Sequence, residues 1–383
     1  TGPDWAFGQA TYVPLDDGSF YAASTKAGFG SLTHLGPDGV RRDIDAGFAS
    51  YAALARCADG RLACIAASPA VEPVVAVIDP ESDPVEVSIV RASRPDRLDA
   101  GLVSTPESIT FPTTDDQVAH ALYYAPHNPA FAGPPGELPP LVVMTHGGPT
   151  GATGPALNAS VQFWTSRGIA VVDVNYRGST GYGRAYRQQL RGAWGVVDVD
   201  DAVAAARFLA DRGDVDGERM VIRGGSAGGY TTLAALTFRS GTFAAGTSLY
   251  GVGDLEALAR DTHKFESRYL DGLIGPYPDA KDLYIERSPI HHTELLSTPL
   301  LLLQGSEDAV VPVNQADGMA AALRAKGIPF AYVVFDGEQH GFRRAENIKR
   351  AAELELWFYG EILGFVPADA IEPGPLENAS PRT

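Results

Sequence analysis

Cysteine is nearly absent. Cys57 and Cys64 are the only two in 383 residues, too few for a disulfide framework, and neither sits in a metal-ligand spacing. They flank the turn residues Ala58-Asp59-Gly60-Arg61, where two reduced, packed thiols can face each other across a hairpin. Long apolar runs are missing too: stretches such as 169–172 and 300–303 fall far short of a bilayer span. No signal peptide opens the chain, so the expected setting is cytoplasmic, away from membrane. Basic residues are in deficit, 30 Lys and Arg against 47 Asp and Glu for a net charge of −17. No basic stripe is visible, which argues against nucleic acid as a partner. An initiator Met is also lacking. The chain begins Thr1-Gly2-Pro3, as expected of a processed, trimmed or longer product, and nothing downstream supports Thr1 as an N-terminal nucleophile.

What is present is ordinary for a globular protein, 45% hydrophobic and 20% charged, with length enough for two domains. Residues 1–95 read as β, with short apolar-alternating runs at 19–23 and 74–78 broken by turn residues. Asp17-Gly18, Asp38-Gly39 and Asp59-Gly60 recur every 21 residues, and Asp79-Pro80 follows 20 later. One hairpin turn per 21 residues gives a four-stranded unit in about 42, the period of a β-propeller blade. The segment therefore reads as about two C-terminal blades of an incomplete propeller. Propellers close with about four to eight blades, and two alone leave sheet edges and apolar faces uncovered. The expectation is a C-terminal portion of a longer polypeptide, with the missing blades on the lost part or on a partner chain. A small free-standing β-domain is the rival reading.

Residues 96–140 form a polar, proline-containing connector, a hairpin at 111–124 around Thr114-Asp115-Asp116-Gln117, and a Pro/Gly loop from 126 to 140. From 141 to 365 the pattern becomes alternating strands and helices. Apolar strands are expected at 141–144, 168–174, 220–223, 245–250, 299–304 and 330–335. Helices are expected at 198–212, at 227–238, from a cap at Asn314 to a stop at Gly327, and at 347–363 with Ile348, Ala351, Leu354 or Leu356, and Phe358 buried. Strands buried on both faces and alternating with helices mean an α/β fold with a doubly covered, mostly parallel sheet. The Pro-rich tail, 366–383, reads as disordered. A long insertion at 251–297, carrying Asp254, Glu256, Phe265, Glu266, Arg268, Tyr269, Tyr277 and Tyr284, is placed to overhang a site or to be a plain surface excursion.

The chemistry centres on Gly224-Gly225-Ser226-Ala227-Gly228. A strand enters it and a small-residue helix leaves it, the context of the nucleophile elbow of α/β-hydrolases. A serine hydroxyl needs a neighbouring base, and His340 follows the last strand, in a loop at the same sheet edge. The base needs an acid to fix its tautomer. Asp308 follows the strand at 299–304; Glu307, Asp336 and Glu338 compete with it, while His291 and His292 are misplaced for the base. Ser226, Asp308, His340 is the α/β-hydrolase order. The developing oxyanion needs fixed N–H donors: the amide of Ala227, and one from Thr145-His146-Gly147-Gly148-Pro149, with Gly148 preferred over Gly147.

These motifs are HGGP at 146–149, GGSAGGY at 224–230, QGSEDAVVP at 304–312 and EQHGF at 338–342. NYRGSTGYGR at 175–184, WG at 194–195, FESRYLDGLIGPYP at 265–278 and RSPIHH at 287–292 join them. Together they resemble the prolyl oligopeptidase family of serine peptidases, in its acylaminoacyl-peptidase and dipeptidyl-aminopeptidase branch. The resemblance covers about residues 100–365. It implies an α/β-hydrolase domain beside a propeller that restricts entry to short peptides, with Ser226 as nucleophile, Asp308 as acid, His340 as base, and Gly148 and Ala227 as oxyanion donors. It implies no cofactor or metal. The expected function is a serine exopeptidase acting on short peptides or aminoacyl amides. A carboxylesterase or small-molecule amide hydrolase with the same triad is the alternative, and a non-catalytic scaffold is a third reading. A homo-oligomer is compatible with the sequence.

Overall fold

The computed structural model describes residues 6–94, 98–262 and 264–379. Thr1, Pro95 and residues 380–383 lie outside these. Two four-stranded antiparallel sheets come first. One is β1 (Tyr12–Pro14), β2 (Phe20–Lys26), β3 (Phe29–Leu35) and β4 (Arg41–Ile44); the other is β5 (Ser50–Arg56), β6 (Leu62–Ser68), β7 (Val71–Asp79) and β8 (Glu86–Ala92). The recurrent Asp-Gly and Asp-Pro turns join β1 to β2, β3 to β4, β5 to β6 and β7 to β8, so all four serve one kind of connection within each sheet. Asp17 Oδ1 accepts from Ser19 N and Asp59 Oδ1 from Arg61 N, the side-chain-to-backbone turn that makes Asp recur there. The two cysteines do not face each other. Cys57 N bonds Arg61 O, whereas Cys64 is buried opposite Ala76 on β7, and both thiols are free. The turn offsets their register, which spacing alone did not reveal.

The second body is a nine-stranded sheet. It adds β9 (Glu107–Pro112), β10 (Val118–Tyr124), β11 (Leu141–Thr145), β12 (Ala170–Asn175), β13 (Met220–Gly225), β14 (Ala245–Leu249), β15 (Leu300–Gly305), β16 (Phe330–Phe335) and β17 (Leu376–Glu377). Their order across the sheet is β17-β16-β15-β14-β13-β11-β12-β10-β9. The six strands from β12 to β16 across the middle run parallel; β10 and β17 run against them, and β9 pairs antiparallel with β10 at the edge. The helices are α1 (Ala159–Thr165), α2 (Arg184–Gln188), α3 (Val197–Arg212), α4 (Ala227–Phe238), α5 (Leu255–Asp261), α6 (Tyr269–Leu273), α7 (Lys281–Glu286), α8 (Asn314–Lys326) and α9 (Ala345–Leu363). One core lies between the sheet and α3, α4 and α8, the other between the sheet and α1 and α9. Both faces are thus covered, as the apolar strands require.

Three local expectations are corrected. The segment from 366 to 379 is held in place: Leu376 and Glu377 pair with β16, Arg324 binds Glu377 at 2.6 Å, and Ile371 and Leu376 pack on the α9 core. Prolines bar that segment from a helix of its own, yet the open edge of β16 offers hydrogen bonds to it. Ile348 is 51% exposed, while Ala351, Leu354, Leu356 and Phe358 are buried; one turn into α9 the apolar stripe has not yet reached the sheet. Asn314 is the first residue of α8, and Val313 is its cap without a side-chain bond.

The sheet order decides where a site can form. From β11 the chain proceeds to β12 on one side and then to β13 on the other. The crevice beyond the carboxyl ends of β11 and β13 is therefore a topological switch point, the usual ligand site of open α/β sheets.

Candidate active site

Ser226 sits in that crevice, between β13 and α4, with φ 57° and ψ −121°. The turn is possible only because Gly224 and Gly228, two residues to either side, have no side chains. A Cβ on Gly224 would collide with the carbonyl of Gly228, and one on Gly228 with the carbonyl of Thr145. Ser226 N donates to Leu249 O at 3.0 Å and Tyr230 N to Ser226 O at 3.0 Å, pinning the apex from both sides.

His340 reaches the serine from the loop after β16. Its Nε2 lies 2.9 Å from Ser226 Oγ and its Nδ1 2.8 Å from Asp308 Oδ2. The Asp308 side chain is fully buried, and Oδ1 accepts from the amides of Val310 and Val311 at 2.9 and 2.8 Å. Since the carboxylate accepts from Nδ1–H, Nε2 is left to accept from the serine hydroxyl. The competing acids are otherwise engaged. Glu338 accepts from Arg343 N, Arg344 N and Asn347 Nδ2, shaping the turn from the histidine loop into α9. Asp336 lies 3.5 Å from Ser306 Oγ, and Glu307 is exposed. His291 and His292 stay away, beside Asp254 and Glu294.

The loop after β11 abuts the nucleophile. A Cβ on Gly147 would stand 3.5 Å from that of Ser226, and Gly148 has φ 125°, a conformation that favours glycine. Behind it His146 is half-buried and stacks on Tyr176 with ring centroids 4.2 Å apart. Burial drives its pKa down to about 4, so the ring is neutral. Nδ1 then donates to Gly147 O at 2.9 Å and Nε2 accepts from Ser179 Oγ at 2.7 Å. Tyr176 OH lies 2.9 Å from Pro149 O and 3.0 Å from His146 O. The glycines are therefore clamped from beneath by His146, Tyr176 and Ser179, three supports that the motif reading did not single out.

Two spaces open here. A pocket of about 50 Å³ contains Ser226, Ala227 and Gly148 in its lining and is walled by Trp194, Val252, Leu258, Leu270, Val310 and Val311. The insertion does overhang the site, since Leu258, Thr262, Glu266, Tyr269 and Leu270 come from it. A larger cleft of about 1680 Å³ lies between the two bodies, with Thr25, Tyr51 and Glu72 on the sheet side and Arg184, Tyr250 and Phe342 on the other. Neither Ser226 nor His340 lines it, but Tyr250 on its wall packs against His340 with ring centroids 5.0 Å apart. Among the described residues no group of three or more His, Cys, Asp or Glu could hold a metal ion, and no helix is long and apolar enough to cross a membrane.

The family model described as the prolyl oligopeptidase family matches residues 155–365, more than half of the chain. The chain belongs to that family. A puromycin-hydrolyzing peptidase of Mycobacterium tuberculosis is similar over 98% of this chain and 57% of its own, with 43% identity and a TM-score of 0.92. A puromycin hydrolase variant complexed with PGG is 41% identical over 98% of this chain and 56% of its own, with a TM-score of 0.91. Dipeptidyl aminopeptidase BIII of Pseudoxanthomonas mexicana is 35% identical over 230 residues, 59% of this chain and 33% of its own length. The chain thus spans about a third of that curated relative and a little over half of the solved structures. The fold is that of the family, an α/β-hydrolase sheet preceded by propeller-like antiparallel sheets.

Proposed function

We propose that this protein is a serine peptidase that cleaves short peptides or aminoacyl amides through an acyl-enzyme, as an exopeptidase of aminopeptidase, dipeptidyl- or acylaminoacyl-peptidase type. The observation that carries the reading is the unbroken line from Ser226 Oγ through His340 to Asp308, at 2.9 and 2.8 Å. In this mechanism Ser226 attacks the scissile carbonyl while His340 Nε2 takes its proton. Asp308 keeps the imidazole in its tautomer and offsets the positive charge that forms. Amide N–H groups of Gly148 and Ala227 meet the charge on the carbonyl oxygen. His340 then hands its proton to the leaving amine. Water, deprotonated by His340, attacks the acyl-enzyme and releases the acid, and Ser226 regains its proton. The small apolar pocket beside Ser226 suits one substrate side chain. The named relatives, a dipeptidyl aminopeptidase and puromycin-hydrolysing peptidases, support the choice of peptide or aminoacyl amide. A further segment completing the propeller, on this polypeptide or a partner chain, is the partner we assign to the two sheets.

The test is turnover of chromogenic amides of a free amino acid, a free dipeptide and an N-acylated amino acid, plus one simple ester, by the protein and by Ser226→Ala. Turnover of at least one amide class, lost in the variant, is expected. Turnover of the ester alone would make it a carboxylesterase, and unchanged turnover by folded Ser226→Ala would end the serine mechanism.

A further inference from the structure

Tyr250 is the first residue after β14 and has φ 40°. A bulky side chain rarely adopts that left-handed region, and such strain persists only where surrounding contacts hold it. Here they do. Leu249 O, immediately before it, accepts from Ser226 N at 3.0 Å, and Tyr250 N donates to Leu303 O at 2.7 Å. The strained residue is thus fastened to the amide of the nucleophile on one side and to β15, the strand that leads to Asp308, on the other.

The Tyr250 ring packs against both partners of the proton transfer. A Cβ on Gly225, the residue before the nucleophile, would stand 2.9 Å from ring carbon Cε2. The ring meets His340 with centroids 5.0 Å apart and planes at 67°. It also meets Phe342, two residues further along the same loop, at 5.2 Å and 89°. Phe342 in turn packs on Phe335, the last residue of β16, at 4.7 Å. One ring therefore links the elbow to the segment that carries the base.

Hydrogen bonds alone leave that base under-restrained. Asp308 and Ser226 hold His340 by its two ring nitrogens. Those bonds fix a line through the imidazole but oppose rotation about that line only weakly. The serine bond is also lost when Ser226 attacks, just when the imidazole must present its new proton to the leaving amine. Packing against the imidazole opposes such rotation throughout.

We infer that Tyr250 is a positioning residue, whose ring, packed against Gly225 and His340, holds the imidazole in line for proton delivery to the leaving group. Gly225 lacks a side chain because the ring occupies its place. The inference rests on the serine-peptidase reading and adds to it the group that keeps the base aligned.

The test measures kcat and KM for the protein, Tyr250→Phe and Tyr250→Leu. The substrates are phenylalanine p-nitroanilide and phenylalanine p-nitrophenyl ester, free or N-acetylated, whichever form the protein turns over. Tyr250→Leu should lower kcat on the anilide by about a hundredfold with KM little changed. The ester, whose nitrophenolate departs without a proton from His340, should lose at most about tenfold. Tyr250→Phe keeps the ring and should restore both rates to near those of the protein. Gly225→Ala, which displaces the ring from the elbow, should also lower the anilide rate, and its cost should be less than additive with that of Tyr250→Leu. Equal losses on anilide and ester, a loss confined to KM, or a Tyr250→Phe as impaired as Tyr250→Leu would overturn the inference while the peptidase reading stands. No turnover of the anilide by the protein itself overturns that reading and the inference with it.

Discussion

The two halves of the molecule differ in where they bury charge. In the antiparallel sheets the ion pairs lie at the surface: Arg41–Asp43, Arg42–Glu81, Arg56–Asp16 and Arg61–Asp59 all have side chains at least 41% exposed. In the nine-stranded half, Arg177–Asp201 is 2% and 0% exposed and Arg223–Glu355 is 13% and 2% exposed. Exposed pairs are screened by water and add little stability. Buried pairs persist only when further hydrogen bonds complete them, and Arg177–Asp201 is so completed. Asp201 also accepts from Arg177 N and from Thr113 Oγ1, and Arg177 reaches Thr114. The pair ties α3 to the stretch that holds Tyr176 and Ser179 under the glycine loop. Arg223 lies on β13 three residues before Ser226 and ties it to Glu355 on α9. The lesson is that the catalytic half is preorganised by polar groups that cannot be removed singly, while the sheets in front of it are built on local turns.

The largest effect expected on that contrast is kinetic. Asp308→Asn should lower kcat on an aminoacyl amide by on the order of 10⁴ with no shift in Tm, because the backbone amides around it remain. A comparable fall in stability would mean that Asp308 supports the fold rather than the reaction. Next comes Asp201→Asn, which removes the buried partner of Arg177 and leaves it only the exposed Asp115 at 3.6 Å. A loss of about 3–5 kcal/mol in urea unfolding is expected, and a loss within error would erase the difference between the halves.

A smaller effect should appear in pH dependence. Burial raises the Asp198 pKa from 3.8 to about 6, outweighing the bonds it accepts from Thr231 Oγ1 and Gly195 N. The folded protein then holds this proton more tightly than the unfolded chain. The resulting stabilisation is full below about pH 4 and is lost as the pH rises through about 6. Relative to Asp198→Asn, the stability of the protein should fall by up to about 3 kcal/mol over that window; a flat difference between the two proteins would refute the shift. The smallest effect is expected at the surface. Arg61→Ala should leave Tm unchanged within error by calorimetry, and a clear drop would show that the exposed pairs also carry structure.

How much of this was legible beforehand follows the same division. The elbow and the recurrent Asp-Gly turns were readable because each is a local demand on the backbone, written in glycines and aspartates at fixed offsets, whereas the order of strands across the sheet was not read. The apposition of Ser226, Asp308 and His340 in space follows from their places at strand ends. The lining of the small pocket was not readable, because Trp194, Leu258, Leu270 and Val311 come from separate loops and helices and look like ordinary core residues in one dimension. Nor was the Arg177–Asp201 pair, whose partners are 24 residues apart with no pattern between them. The register of Cys57 and Cys64 and the docking of 366–379 depended on a turn offset and on an open strand edge, neither of which composition records.

The central claim is that Ser226 is a nucleophile activated by His340. Treatment of the folded protein with a fluorophosphonate, followed by peptide mass mapping, tests it most directly. The account predicts one phosphonyl group per chain, on Ser226 with loss of fluoride, and labelling slowed by orders of magnitude in His340→Ala. An unlabelled Ser226 in folded protein, or equal labelling in the variant, would contradict it.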